Sequence, residues 1–127
     1  MTNKVILKFR DKSILKGQTN NFLPNKPLFH LQKITGEIIA VNIKDLKAIF
    51  FVKDYVGNKN HKKEYNDKVP AGGRKVQVKF FDGETIVGYT TGYSPNRPGF
   101  FIIPADLKGN NERVFVVAAA TEKIEMI

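Results

Sequence analysis

From Lys4 to Arg10 the chain alternates, with Val5, Leu7 and Phe9 on one side and Lys4, Ile6, Lys8 and Arg10 on the other. A period of two is that of a half-buried β-strand and not of a helix. The pattern returns from Lys75 to Phe80, and Asp82-Gly83 marks a turn after it. A two-residue turn after the first of these strands would set Leu7 opposite Lys16 and spoil the buried face. The expected connection is a three-residue turn with a bulge, pairing Phe9 with Leu15, Leu7 with Gly17 and Val5 with Thr19. That register sets Lys8 opposite Lys16. Further strands are expected at Leu28 to Ile34, Glu37 to Ile43 and Lys47 to Val52, with a one-turn connection at Lys44-Asp45. Five short strands with a glycine bend in the second suffice to close a small barrel, which removes sheet edges.

The alternation recurs because the chain is duplicated. Lys4, Val5, Lys8, Phe9, Asp11, Gly17, Thr19, Pro24, Asn25, Pro27 and Phe29 match Lys75, Val76, Lys79, Phe80, Asp82, Gly88, Thr90, Pro95, Asn96, Pro98 and Phe100 at one constant offset. The second copy then carries extra residues around Leu107 to Asn110, and the match resumes at Glu112, Val116 and Ile124 against Glu37, Val41 and Ile49. A turn is the place where an insertion costs least. The expected organisation is a first repeat over 1–52, a polar basic linker over 53–74 and a second repeat over 75–127. The fold class is all-β, as two tandem five-stranded barrels. Units of this size bury little apolar surface alone, so the copies are expected to share an interface or the chain to form a homo-oligomer.

An alternating strand, a D-G turn, a buried aliphatic, Gly17 or Gly88 at a bend in strand two and a late strand pair together resemble Sm-like and SH3-like small barrels. The chain also resembles an uncharacterised bacterial family carrying GYSPNRPGFF followed by NERVFV, here Gly92 to Phe101 and Asn111 to Val116. The Sm resemblance implies RNA binding on a ring of subunits. The Asp and Asn that an Sm-type loop would place after strand two are replaced here by Asn21-Phe22 and Gly92-Tyr93.

Charge changes the picture more than composition does. The formal net charge is +9, and Lys and Arg outnumber Asp and Glu by 9 to 3 over 1–52 but stand level at 6 each over 75–127. An excess confined to the first copy and the linker fits a localised site for an anionic partner. The hairpin supplies Lys4, Lys8, Arg10, Lys12 and Lys16 as candidates. Lys26 and Arg97 join them on the repeated PNKP and PNRP loops, where two prolines fix the backbone around a presented cation. Tyr93 and Phe100, with Phe22 and Phe29 as counterparts, flank these tips as aromatics for base stacking or for the core. Val87, Tyr89, Phe101, Ile103, Phe115 and Val117 fall on the phase opposite to the presumed core, which marks an interface.

Other classes find less support. Cysteine is absent, excluding disulfides and thiolate metal sites, and His30 and His61 lie in no ligand spacing, so no metal and no cofactor is expected. AGGRK, Ala71 to Lys75, lacks phosphate-loop spacing and reads as a hinge. Asp11 and Asp82 are turn residues, so the chain is not expected to be an enzyme. No apolar run suits a signal peptide or a membrane span, and a cytoplasmic location is the default. The leading expectation is a non-enzymatic module holding RNA or single-stranded nucleic acid on its basic hairpin. The alternative is an adaptor docking a protein partner through the apolar second copy. A cyclic-dinucleotide effector of the PilZ type is disfavoured, because RxxxR and [DN]xSxxG have no match.

Overall fold

A computed structural model describes residues 3–56, 61, 64–69 and 73–127. The chain is all-β. The first half contains β1 (Asn3–Phe9), β2 (Ile14–Thr19), β3 (Leu28–Lys33), β4 (Ile38–Asn42) and β5 (Leu46–Val52). The second contains β6 (Arg74–Phe80), β7 (Thr85–Thr90), β8 (Gly99–Pro104), β9 (Asn111–Val117) and β10 (Thr121–Met126). A single 3-10 turn separates the last two strands of each half, at Ile43–Asp45 and Ala118–Ala120. No helix among the described residues is long and apolar enough to cross a membrane.

The strands form one antiparallel sheet in the order β10-β6-β7-β8-β9-β5-β1-β2-β3-β4. Both halves therefore share the order fifth-first-second-third-fourth, as the repeat requires. The expected closure into two barrels does not occur: no ladder among the described residues joins β4 to β5 or β9 to β10, and β5 pairs with β9 instead. The residues of β5 explain this. Every one of them is buried, because Ile49 and Phe51 face the first core while Ala48, Phe50 and Val52 face the second. Strand β9 reciprocates, sending Phe115 and Val117 into the first core and Val114 and Val116 into the second. A strand apolar on both faces is stable only with packing on both, and the joint between the halves provides it.

The hairpin register also differs from expectation. Val5 pairs with Gly17 and Leu7 with Leu15, so Lys8 lies opposite Ile14 and Lys16 opposite Ile6. The cause is the turn. Phe9 N donates to Ser13 O at 2.9 Å, Lys12 N donates to Phe9 O at 3.0 Å, and Lys12 adopts φ 77°. This is the three-residue bulged turn, and it sets Phe9 against Ser13, two residues tighter than the Phe9–Leu15 pairing. In the second half Gly83 occupies the same left-handed position at φ 93°, and Gln77 pairs with Val87, so the second hairpin has the same register as the first. A shift of two keeps every side chain on its face, so Val5, Leu7, Val76, Val78 and Phe80 are buried as the alternation requires, while Phe9, expected with them, is only half-buried at the edge of the first core.

A second tie links the halves. Lys47 at the start of β5 is buried, and its Nζ donates to Asp82 Oδ2 at 2.7 Å and to Glu84, both in the β6–β7 turn. The hydrogen bond from Lys47 holds the Asp82 carboxyl below its ordinary 3.8, with the Glu84 backbone N–H and the Lys8 charge adding to it. A depressed carboxylate stabilises the fold above its unfolded value and loses that contribution as the pH falls through its folded value. Stability should therefore drop in acid below 3.8. In Lys47→Met this share of the acid dependence should disappear. Urea melts of both proteins at neutral pH and at about pH 3 check it, and an unchanged pH dependence in the variant would contradict it.

The linker is tied down where it is described. Tyr55 donates its hydroxyl to Gly17 O at 2.8 Å and accepts from Lys16 Nζ at its carbonyl at 2.9 Å. The inserted segment of the second copy holds the rest. Asp54 N donates to Asn110 Oδ1 and Asn110 Nδ2 to Asp54 O, while Leu107 N donates to Asp67 Oδ2 at 2.7 Å. Of the expected hinge, Ala71 and Gly72 lie outside the described residues, and Gly73 enters β6 at φ 84°.

Candidate functional site

The two proline-bracketed loops fold alike. Lys26 N donates to Leu23 O at 3.1 Å and Arg97 N to Ser94 O at 3.2 Å, so each cation sits at the end of the same tight turn. Each loop is then clipped to the 3-10 turn of its own half, with Ile43 N donating to Pro27 O and Ala118 N to Pro98 O, both at 2.9 Å. The loop connecting strands two and three thus lies against the connection between strands four and five. Because β5 pairs with β9, these parts of the two halves meet.

They enclose a cavity of about 470 Å³, with Lys26 and Lys44 contributed by the first half and Arg97 by the second. Its walls are Pro24, Pro27, Ile43, Pro98, Val117 and Ala118, and no carboxylate lines it. A second cavity of about 420 Å³ shares Pro24, Asn25, Arg97 and Pro98 with the first and runs onto Phe100, Phe101 and Phe115. Lys26, Lys44 and Arg97 are exposed, and none makes an ion pair or a side-chain hydrogen bond among the described residues. Three cations line one apolar floor without an ion-pair partner among the described residues, and an anion placed among them gains from all three.

The hairpin cations are arranged differently. Lys4 lies 5.7 Å from the Tyr55 ring centre, and Lys16 is bonded to the Tyr55 carbonyl. Lys8 sits 4.5 Å over the Phe50 ring and 4.0 Å from a Glu84 oxygen. The backbone N–H of Arg10 donates to Asp45 O at 3.0 Å, and its side chain lines a cavity of about 240 Å³ beside Lys47 and Asp82. Lys12 occupies the left-handed turn position. The structure therefore gives Lys4, Lys8 and Lys16 partners within the protein and leaves Arg10 and Lys12 at the turn.

The six apolar candidates also divide. Phe115 and Val117 are buried in the first core, and Phe101 packs against it, 5.1 Å from the Phe115 ring. Val87, Tyr89 and Ile103 remain on the outer face of β7 and β8, where Tyr89 pairs with Ile103. The aromatics flanking the tips belong to the cores: Phe29 and Phe100 are buried, with Phe22 and Tyr93 edge-on to them at 5.2 and 4.9 Å. Phe29 and Phe100 are 1% and 3% exposed, so neither projects as a stacking platform, although Phe100 reaches the wall of the second cavity.

Lys44 is the residue that sequence reasoning passed over. Its half-turn was legible, but its place beside Lys26 depends on the clip from Ile43 to Pro27, across chain segments far apart in sequence. Among the described residues no cluster of three or more His, Cys, Asp or Glu side chains is fit to hold a metal ion.

No curated protein matches the chain. No solved structure matches it. A family model described as a family of unknown function, DUF6982, matches residues 1–127, and the chain belongs to that family.

Proposed function

We propose that the chain is a non-enzymatic binding module that holds a phosphate-rich polyanion, RNA or single-stranded nucleic acid, at the groove between its two proline-bracketed loops. The observation that carries this reading is the convergence of Lys26, Lys44 and Arg97 from both halves on one groove that no carboxylate lines. Rigid tips lose little entropy on binding, and phosphates are what a cluster of unpaired cations recognises without reading sequence. The strand order of each half, fifth-first-second-third-fourth, is in keeping with the Sm-like resemblance. That resemblance implies RNA at the loop after strand two, which here carries Lys26 and Arg97 but has Asn21-Phe22 and Gly92-Tyr93 where the Sm type has its Asp and Asn. The site moves from the hairpin to the joint, because Lys8 and Lys16 already serve as packing and hydrogen-bonding groups.

Each phosphate neutralised on a single strand adds about 0.7 to the slope of log affinity against log salt. Lys26→Gln/Lys44→Gln/Arg97→Gln should therefore flatten the slope by about 2 and weaken every sequence alike. Lys4→Gln/Arg10→Gln/Lys12→Gln/Lys16→Gln is the control and should change it less. Titration of a labelled oligonucleotide at two salt concentrations decides between them. Equal loss in the two variants, or no binding by the wild type, would sink the groove. A protein partner is the second reading, favoured by Val87, Tyr89 and Ile103 on the outer face of β7 and β8, and absence of oligonucleotide binding would leave it the better one.

A further inference from the structure

A fourth cavity, of about 280 Å³, lies where the linker and the inserted segment cover the joint between the halves. Its floor is apolar, formed by Ile6, Phe50, Ile86 and Val114, and its rim is polar, formed by Lys8, His61, Tyr65, Asp106 and Asn111. We infer that this cavity is a second ligand site, built for a small neutral heterocycle of the nucleobase class. The inference stands apart from the groove and uses none of its cations.

The rim is built rather than incidental. Asp106 is only 7% exposed, and a buried carboxylate is costly unless its lone pairs are met. His61 Nε2 meets both of its oxygens, at 2.9 and 2.8 Å. A side chain at position 109 would crowd it: a Cβ there would come within 3.1 Å of Asp106 Oδ2, and Gly109 N instead donates to Asp106 O. The inserted segment that carries Gly109 and Asn110 is fastened to Asp54 of the linker, which fixes one wall against the other.

Charge is balanced here, unlike at the groove. Lys8 lies 4.0 Å from Glu84, and His61 faces Asp106. Lys8 and Asp106 line the cavity with opposite charges, so a phosphate would be opposed by a carboxylate as well as drawn by a lysine, whereas a neutral ring meets hydrogen-bonding groups with no net field to oppose it. Tyr65 supplies a donor. Burial first, then the charges of Glu84 and Asp106, raise the proton affinity of its hydroxyl, which has no partner among the described residues. The volume lies just below the roughly 300–1,000 Å³ typical of ligand pockets, which suits one or two fused rings and not a dinucleotide. A nucleobase has apolar faces for the Ile6, Ile86 and Val114 floor and an edge of donors and acceptors for Tyr65, Asn111 and the His61–Asp106 pair.

The test is isothermal titration of the full chain with adenosine, guanosine, cytidine and uridine in turn. At least one should bind with a dissociation constant of about a millimolar or below, and Tyr65→Phe should weaken it about tenfold with an unchanged melting temperature. Lys26→Gln/Lys44→Gln/Arg97→Gln should bind the nucleoside as the wild type does. No binding by any of the four, or equal affinity in Tyr65→Phe, overturns the inference. Nucleoside binding without oligonucleotide binding would retain this site and reject the groove, and the reverse outcome would do the opposite.

Discussion

Phe115→Ala should destabilise the whole protein by about 3–5 kcal/mol, because the side chain is completely buried and lies in the core of the other half. Phe115 stands on β9 of the second half, yet it belongs to the first core and packs edge-on to Phe22 at 4.9 Å and Phe101 at 5.1 Å. Its backbone pairs with Ile49 on β5. The cavity left by truncation therefore opens at the joint, and neither half can collapse into it without moving the β5–β9 ladder. Unfolding should stay a single transition in the variant, with both halves lost together. Chemical denaturation followed by circular dichroism measures this. A loss below about 1 kcal/mol, or two resolved transitions, would mean that the halves fold separately.

Gly88→Ala should also be strongly destabilising, by about 1–3 kcal/mol or more, although it adds a single methyl group. A Cβ on Gly88 would lie 2.3 Å from Ile102 Cγ2 and 2.4 Å from the backbone oxygen of Ile103. The side chain can give way, but the carbonyl belongs to β8 and cannot shift without unpicking the short β7–β8 ladder, which consists of Gly88↔Pro104 and Tyr89↔Ile103. Gly17 occupies the equivalent place, where a Cβ would lie 2.3 Å from Gln32 O. Thermal melts of Gly88→Ala and Gly17→Ala should show losses of similar size. A neutral substitution at either site would contradict the close approach.

The strands were legible because alternation is a local signal: Val5, Leu7 and Phe9 announce a half-buried strand without reference to anything distant. The hairpin turn type was legible too, while its register slipped by two, since φ 77° at Lys12 lets the turn close on Ser13. Topology was harder to read. Strand β5 is apolar on both faces and its counterpart β10 is not, with Lys123 and Glu125 standing where β5 has Ala48 and Phe50. That contrast carries the joint between the halves, and it shows only when the two repeats are compared face by face rather than residue by residue. The charged residues on β10 also suit an edge strand, which must not recruit another sheet. The groove was half legible: repetition exposed Lys26 and Arg97, whereas Lys44 enters through a long-range contact and has Ala119 as its counterpart.

The proposed anion-binding groove is assembled from both halves of the duplication. Backbone amide shifts of the full chain, followed by NMR as a single-stranded oligonucleotide is added, test it most directly. Signals from Asn25, Lys26, residues 43–45, Asn96 and Arg97 should move together along one binding curve, while those of residues 4–8 stay still. Shifts confined to the β1–β2 hairpin, or separate curves for the two loops, would contradict a shared groove.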